Sequence, residues 1–142
     1  MPKDIEVHSS VKDETLIAMR REQIIKGAVK LFKEKGFHKA TTREIAKAAG
    51  FSIGTLYEYI RTKEDVLYLV CDRIFNEVTL KLSPYQNEEG TLDTLRRAMY
   101  EYYYLIHRMH IEFTIMYQET KSLPKDTRAY ILDREYEMVS MF

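Results

Sequence analysis

His107 and His110 lie three residues apart with Glu112 beside them, so both imidazoles share one helical face, where a divalent cation can be held. No third or fourth ligand recurs at helical spacing, so the pair is expected to serve a surface or a pocket, and no metal is predicted. The single cysteine, Cys71, sits in an apolar helical stretch, the setting of an inert buried thiol. One cysteine also excludes an internal disulfide framework and any zinc site built from several cysteines. There is no Gly-rich phosphate loop, no Cys/His or Ser/His pair in a recognisable frame, and no carboxylate constellation. Asp133, Glu135 and Glu137 are interleaved with Arg134, as on a solvated helix face. Neither catalysis nor a cofactor is expected.

The residues from Thr41 to Ile60 carry a different chemistry. A helix of about eight residues, a turn centred on Gly50 and a second short helix opened by Ser52 make a helix-turn-helix. In that geometry the second helix can lie in the DNA major groove while the first crosses the phosphate backbone. Ala46 is small where the two helices approach, Gly50 tolerates the positive φ of the turn, and Ile45 and Leu56 form the inward packing pair. An αα-corner that never meets DNA would carry the same pattern. Charge adds a second signal. Arg20 to Lys63 holds eleven Lys or Arg against four acids, while the flanking segments are net acidic, so the formal net charge of zero hides one basic module.

Helical periodicity recurs along the chain, no stretch alternates long enough for a strand and nothing repeats internally, which predicts an all-α fold. The first helix runs from about Asp13 to Lys35, with Ile17, Ile24, Ala28, Leu31 and Phe32 on one stripe and Gly36 as its stop. Thr41 to Glu44 reads as a capping box that opens a helix from Thr42 to Ala49. Ser52 caps a third helix from Ile53 to about Ile60, and Thr62 caps a fourth from Lys63 to about Leu82. Pro84, Asn87 and Gly90 mark a break from Ser83 to Gly90. A fifth helix follows from Thr91 to about Arg108, a sixth from Ile111 to Ser122, and a seventh from near Lys125 that is still running at Phe142. No run reaches the roughly 18 to 20 apolar residues of a membrane span. Met1 to Ser10 holds no apolar signal core, so a cytoplasmic address is expected.

The stretch from Arg20 to Leu67 closely resembles the DNA-binding domain of TetR-family transcriptional regulators. The matching features occur in order: Ile-Ile, Ala and Leu-Phe in the first helix, Gly-Phe, Thr-Thr, Ile-Ala-Lys-Ala-Ala-Gly, Ser-x-Gly-Thr-Leu-Tyr-x-Tyr, then Lys-Glu-Asp. The resemblance implies a three-helix DNA-binding domain over residues 1–64, followed over 65–142 by a helical ligand-binding and dimerisation domain. It also implies DNA contacts. Thr41, Thr42 and Arg43 would meet phosphate at the start of the second helix. Ser52, Ile53, Gly54 and Thr55 would form the turn that enters the groove, with Tyr57, Tyr59 and Lys63 reaching phosphates. Three departures stand out. Ile60 replaces the family's usual Phe, Ile53 offers apolar contact where a polar residue is common, and Glu58 places an acid on the recognition helix. Operator preference is therefore not carried over from relatives.

The fifth and sixth helices are rich in Tyr and Met. Tyr102, Tyr103 and Tyr104 are consecutive and cannot share one helix face, so some must line a second surface. Met99, Tyr100, Tyr103, Tyr104, His107, Phe113, Met116 and Tyr117 are the candidate wall for an apolar or planar ligand. Arg96, Arg97 and Arg108 are candidates for an acidic head group. The resemblance then implies a homodimeric repressor whose two recognition helices enter successive major grooves roughly 34 Å apart on a pseudo-palindromic operator. A small fatty-acyl or aromatic effector would release it by tilting the fourth helix, and no membrane is involved. The seventh helix has no stop signal, so the regulatory domain is expected to be incomplete at its C-terminus, with weak or absent dimerisation. The competing expectations are a small-molecule-binding helical protein, or a module for a protein partner, in which the helix-turn-helix serves packing alone.

Overall fold

A computed structural model describes residues 6–141. Seven α-helices follow one another among them: α1 (Glu14–Lys35), α2 (Thr42–Ala49), α3 (Ile53–Tyr59), α4 (Lys63–Gln86), α5 (Leu92–Arg108), α6 (His110–Glu119) and α7 (Lys125–Ser140). A single 3-10 turn, Thr120–Ser122, separates the last two. Phe142 lies outside the described residues, so the expectation that the last helix still runs there is not addressed.

Local chemistry sets the boundaries. Asp13 accepts a hydrogen bond from the Leu16 amide at the start of α1, and Gly36 ends that helix at φ 81°. The Thr41/Glu44 box opens α2, and Gly50 ends it in the left-handed region at φ 84°. Thr62 and Asp65 make a second reciprocal box at the start of α4. That helix runs four residues past the expected stop, with Pro84 inside its last turn. Leu82 is buried and Tyr85 packs against the core under the Arg97 guanidinium, which offsets the hydrogen bond that Pro84 cannot donate.

Helices α1, α2 and α3 form a three-helix unit, and α4 runs from it to pack against α5, α6 and α7. One continuous buried cluster extends from Val7 and Ile24 through Leu56 and Ile74 to Met116 and Ile131. A salt bridge of 3.0 Å joins Glu22 on α1 to Arg73 on α4. Cys71 is fully buried, and burial pushes its thiol far above the ordinary range, which keeps it in the unreactive protonated form.

Close approach of α1 to α2 depends on Gly27. A Cβ there would stand 2.8 Å from the Ala49 nitrogen and 2.9 Å from the Ala48 carbonyl carbon, both backbone atoms that cannot rotate away. Overpacking of this kind costs about 1–3 kcal/mol, against at most about 1 kcal/mol that alanine gains over glycine inside a helix. Gly27→Ala is therefore expected to lower the stability measured by urea unfolding. An unchanged or raised midpoint would contradict so tight a contact.

Candidate nucleic-acid interface

Thr41 is exposed and its hydroxyl is already engaged. It accepts from the Glu44 amide at 3.2 Å and donates to Glu44 Oε1 at 3.0 Å. The other carboxylate oxygen of Glu44 meets Lys35 Nζ at 2.6 Å. Lys35 first, and then Thr41, hold the Glu44 carboxyl below the usual carboxylate range. This pairing neutralises an acid that would otherwise repel phosphate at the start of α2. Next to it, Thr42 Oγ1 lies 3.1 Å from the Tyr57 hydroxyl, which ties the first turn of α2 to the outer face of α3. Arg43 is exposed and makes no ion pair among the described residues.

Helix α3 is seven residues long, too short to hold its shape without tertiary anchors. Leu56, at 0% exposure, and Tyr59, at 3%, supply them on its inner side. Ser52 caps it, accepting from the Thr55 amide at 3.1 Å and donating to Thr55 Oγ1 at 2.9 Å. Gly54 is exposed at the first turn, with nothing within 4 Å of where a Cβ would stand. Ile53 and Thr55 flank it, half-buried, and Tyr57 is exposed. Lys26, Lys30, Lys33, Lys39, Arg43, Lys47 and Arg61 are exposed without an acidic partner among the described residues. Two of the four acids in the same stretch, Glu22 and Glu44, are paired.

Two residues expected at phosphates lie elsewhere. Tyr59 faces the core and packs against Phe51, because two residues along a helix is a rotation of about 200° and Tyr57 already takes the outer side. Lys63 turns inward over the Phe37 ring and donates to the carbonyls of Phe37 at 2.8 Å and His38 at 3.2 Å. Its charge serves the turn after α1.

The expected effector wall divides in three. Met99, Tyr100 and Tyr103 lie with Leu92, Leu95 and Arg96 along a shallow outward hollow of about 550 Å³ on α5. Tyr104 and Tyr117 are exposed, and His107 stacks on Tyr103 at 6.5 Å. Phe113 and Met116 are buried in the core. Of the three consecutive tyrosines the one that faces inward is Tyr102, which meets Phe113 edge-on at 6.5 Å. Arg96 and Arg97 are bound to Asp93, Arg97 also to Glu88, and Arg108 to Glu77, so each of these three arginines already has an acidic partner among the described residues. Two clefts of about 350 and 370 Å³ lie against α4, the first beside α7 and the second beside α5. They meet at Gln86 and Met141, a junction that sequence periodicity gave no means of finding.

Near α5 and α7, burial raises the pKa of Tyr102, helped by Tyr117 and Glu135, and burial alone raises that of Glu135. A carboxyl shifted upward destabilises the folded chain while ionised, and that cost shrinks as the pH falls through its raised pKa and vanishes only below the unfolded pKa. Glu135→Gln is therefore expected to raise the thermal midpoint slightly at pH 7. The two proteins should converge by about pH 4, where the unfolded carboxyl also protonates. A variant less stable at pH 7 would contradict this.

Residues 24–68 match the sequence profile described as bacterial regulatory proteins, tetR family. The HTH-type transcriptional regulator HbdR of Aromatoleum sp. (strain CIB) is 34% identical over 131 residues, covering 91% of this chain and 57% of that protein. The chain thus spans a little over half the length of this curated relative. AibR, solved in complex with isovaleryl coenzyme A and operator DNA, superposes with a TM-score of 0.74 at 27% identity, over 86% of this chain and 67% of that one. PfmR from Thermus thermophilus, at 24% identity and TM-score 0.76 over 83% of this chain and 65% of that one, shares the fold. The two capped helices around Gly50 lie within the matched residues, and residues 24–68 carry the regulatory-protein domain of the tetR family.

Proposed function

We propose that the protein is a ligand-responsive transcriptional repressor that binds double-stranded operator DNA and is released by a small apolar or acyl-type effector. The observation that carries this reading is the exposed first turn of α3, open at Gly54, in a module whose Arg43 and Lys47 are exposed without an acidic partner among the described residues and whose first-turn acid in α2, Glu44, is paired with Lys35. Residues 1–64 read DNA and residues 65–142 belong to the part that senses the effector. Ser52, Ile53, Gly54 and Thr55 approach base edges. Thr41, Thr42, Arg43 and Tyr57 reach phosphates. A homodimer would place two such helices roughly 34 Å apart on a pseudo-palindrome.

The solved complex of AibR with isovaleryl coenzyme A and operator DNA supports an acyl-thioester effector. The junction of the two clefts at Gln86 and Met141 supports a site against α4. A route to the DNA face starts at the other end of that helix, where Lys63 holds the carbonyls of Phe37 and His38. His38 in turn lies 3.2 Å from Ser122 and 3.7 Å from Glu119, so the turn before α2 is gripped from α4 and from the end of α6. Movement of α4 under a bound effector would carry this turn with it. By linkage, effector and DNA must then weaken each other's binding by the same factor.

The test is a gel-shift titration against a duplex selected by the protein from a randomised pool, at several salt concentrations. The expected result is selective binding that weakens steeply with salt, by about 0.9 logarithmic units per phosphate contact for each tenfold rise. Binding with neither selectivity nor salt dependence would return the helix-turn-helix to a packing role.

A further inference from the structure

An α-helix ends with carbonyls that have no partner inside the helix, and cations near that end are favoured. Helix α3 carries no basic residue in its own last turn. Its final carbonyls are satisfied from a distance. The Glu58 carbonyl accepts from the Ser10 amide at 3.0 Å, from Ser9 Oγ at 2.9 Å and from Ser10 Oγ at 3.2 Å. Arg21 on α1 donates through Nη2 to the Val7 carbonyl at 2.6 Å and to the Tyr59 carbonyl at 3.4 Å. One guanidinium nitrogen thus joins the N-terminal segment to the end of α3. Val7 is 7% exposed within the core cluster, and Val11 is half-buried against the same cluster, so the segment is seated at both ends.

We propose that residues 7–11, fastened by Arg21, form a strap that fixes the axis of the recognition helix, making Ser9, Ser10 and Arg21 positioning residues for operator recognition. The inference rests on the DNA-binding reading above. The strap holds the end of α3 that points away from Gly54, so slack at Glu58 becomes a displacement of the turn that meets base edges. Base contacts require hydrogen-bond geometry, whereas phosphate contacts tolerate small shifts. Loss of the strap should therefore cost selectivity more than general affinity.

The test compares wild type with S9A/S10A and with R21K, which keeps the charge on a side chain one bond too short to place its nitrogen at the Nη2 position between the two carbonyls. Each is titrated against a duplex selected by the wild-type protein and against a scrambled duplex of equal length. Hydrogen exchange of residues 53–60 is followed without DNA. The expected result is a loss of about tenfold in affinity for the selected duplex, an unchanged affinity and salt slope on the scrambled one, and faster exchange in α3. An unchanged preference for the selected duplex, or an equal fall on both duplexes, overturns the proposal. If the wild type itself prefers neither duplex, the DNA-binding reading fails first and takes the strap's role with it. Wild-type selectivity with indifferent variants removes the strap alone.

Discussion

Gly54→Glu is expected to lower affinity for a selected duplex by at least about a hundredfold, equivalent to roughly 2.7 kcal/mol, without weakening the fold. In the free protein the position is open, with nothing within 4 Å of a new Cβ and no positive φ to strain it. Glutamate is also a better helix former than glycine by roughly 0.5–1 kcal/mol, so the thermal midpoint should hold or rise. On DNA the same openness reverses its meaning. The new side chain must occupy the space that a base pair takes, and its carboxylate enters a field of phosphates after losing water. Paired measurements of fluorescence anisotropy and thermal unfolding check both halves. Near-normal DNA binding would show that this turn does not face the groove.

Leu56→Ala should do the opposite, removing stability first. Leu56 is wholly buried on a helix of only seven residues, as Ile45 is on α2. Truncation removes its transfer free energy and leaves a cavity, at a cost of about 2–5 kcal/mol. For a chain of this size that corresponds to roughly 10 °C in thermal midpoint, a large share of a typical total stability. Circular dichroism melting at 222 nm reads it directly. A shift of only a degree or two would mean that α3 is not anchored through this side chain. Together the two variants separate the exposed edge of α3 from its inner one.

The parts of this fold that were legible in the sequence are those governed by neighbours in the chain. The span of α2, its capping box and the left-handed Gly50 all follow from residues within a few positions of one another. Tyr59 lies inward, against its expected phosphate role, by a rule that the sequence already contains. The rotation that keeps Tyr102, Tyr103 and Tyr104 from sharing a face also keeps Tyr57 and Tyr59 apart. Lys63 departs from its expected place for a different reason. The carbonyls that capture it are 25 and 26 residues away, and no local pattern announces them. The same holds for Ser9, 49 residues from its acceptor at Glu58, in a segment whose mixed polar composition carries no periodicity. Gly27 left a faint trace, a glycine interrupting a helical apolar stripe, whose partner on α2 only the folded chain reveals. The tyrosine content of α5 announced an apolar outer face but not which element, if any, it opposes, because orientation depends on the packing of whole helices.

The most direct test of the central reading is guanine methylation on a selected duplex with the protein bound. Dimethyl sulfate attacks guanine N7 in the major groove, the edge that an inserted recognition helix would cover. Protection of N7 in segments about ten base pairs apart, centre to centre, and its loss with Gly54→Glu, is the expected outcome. Selective binding that leaves every N7 open to the reagent would contradict insertion of α3 into the groove.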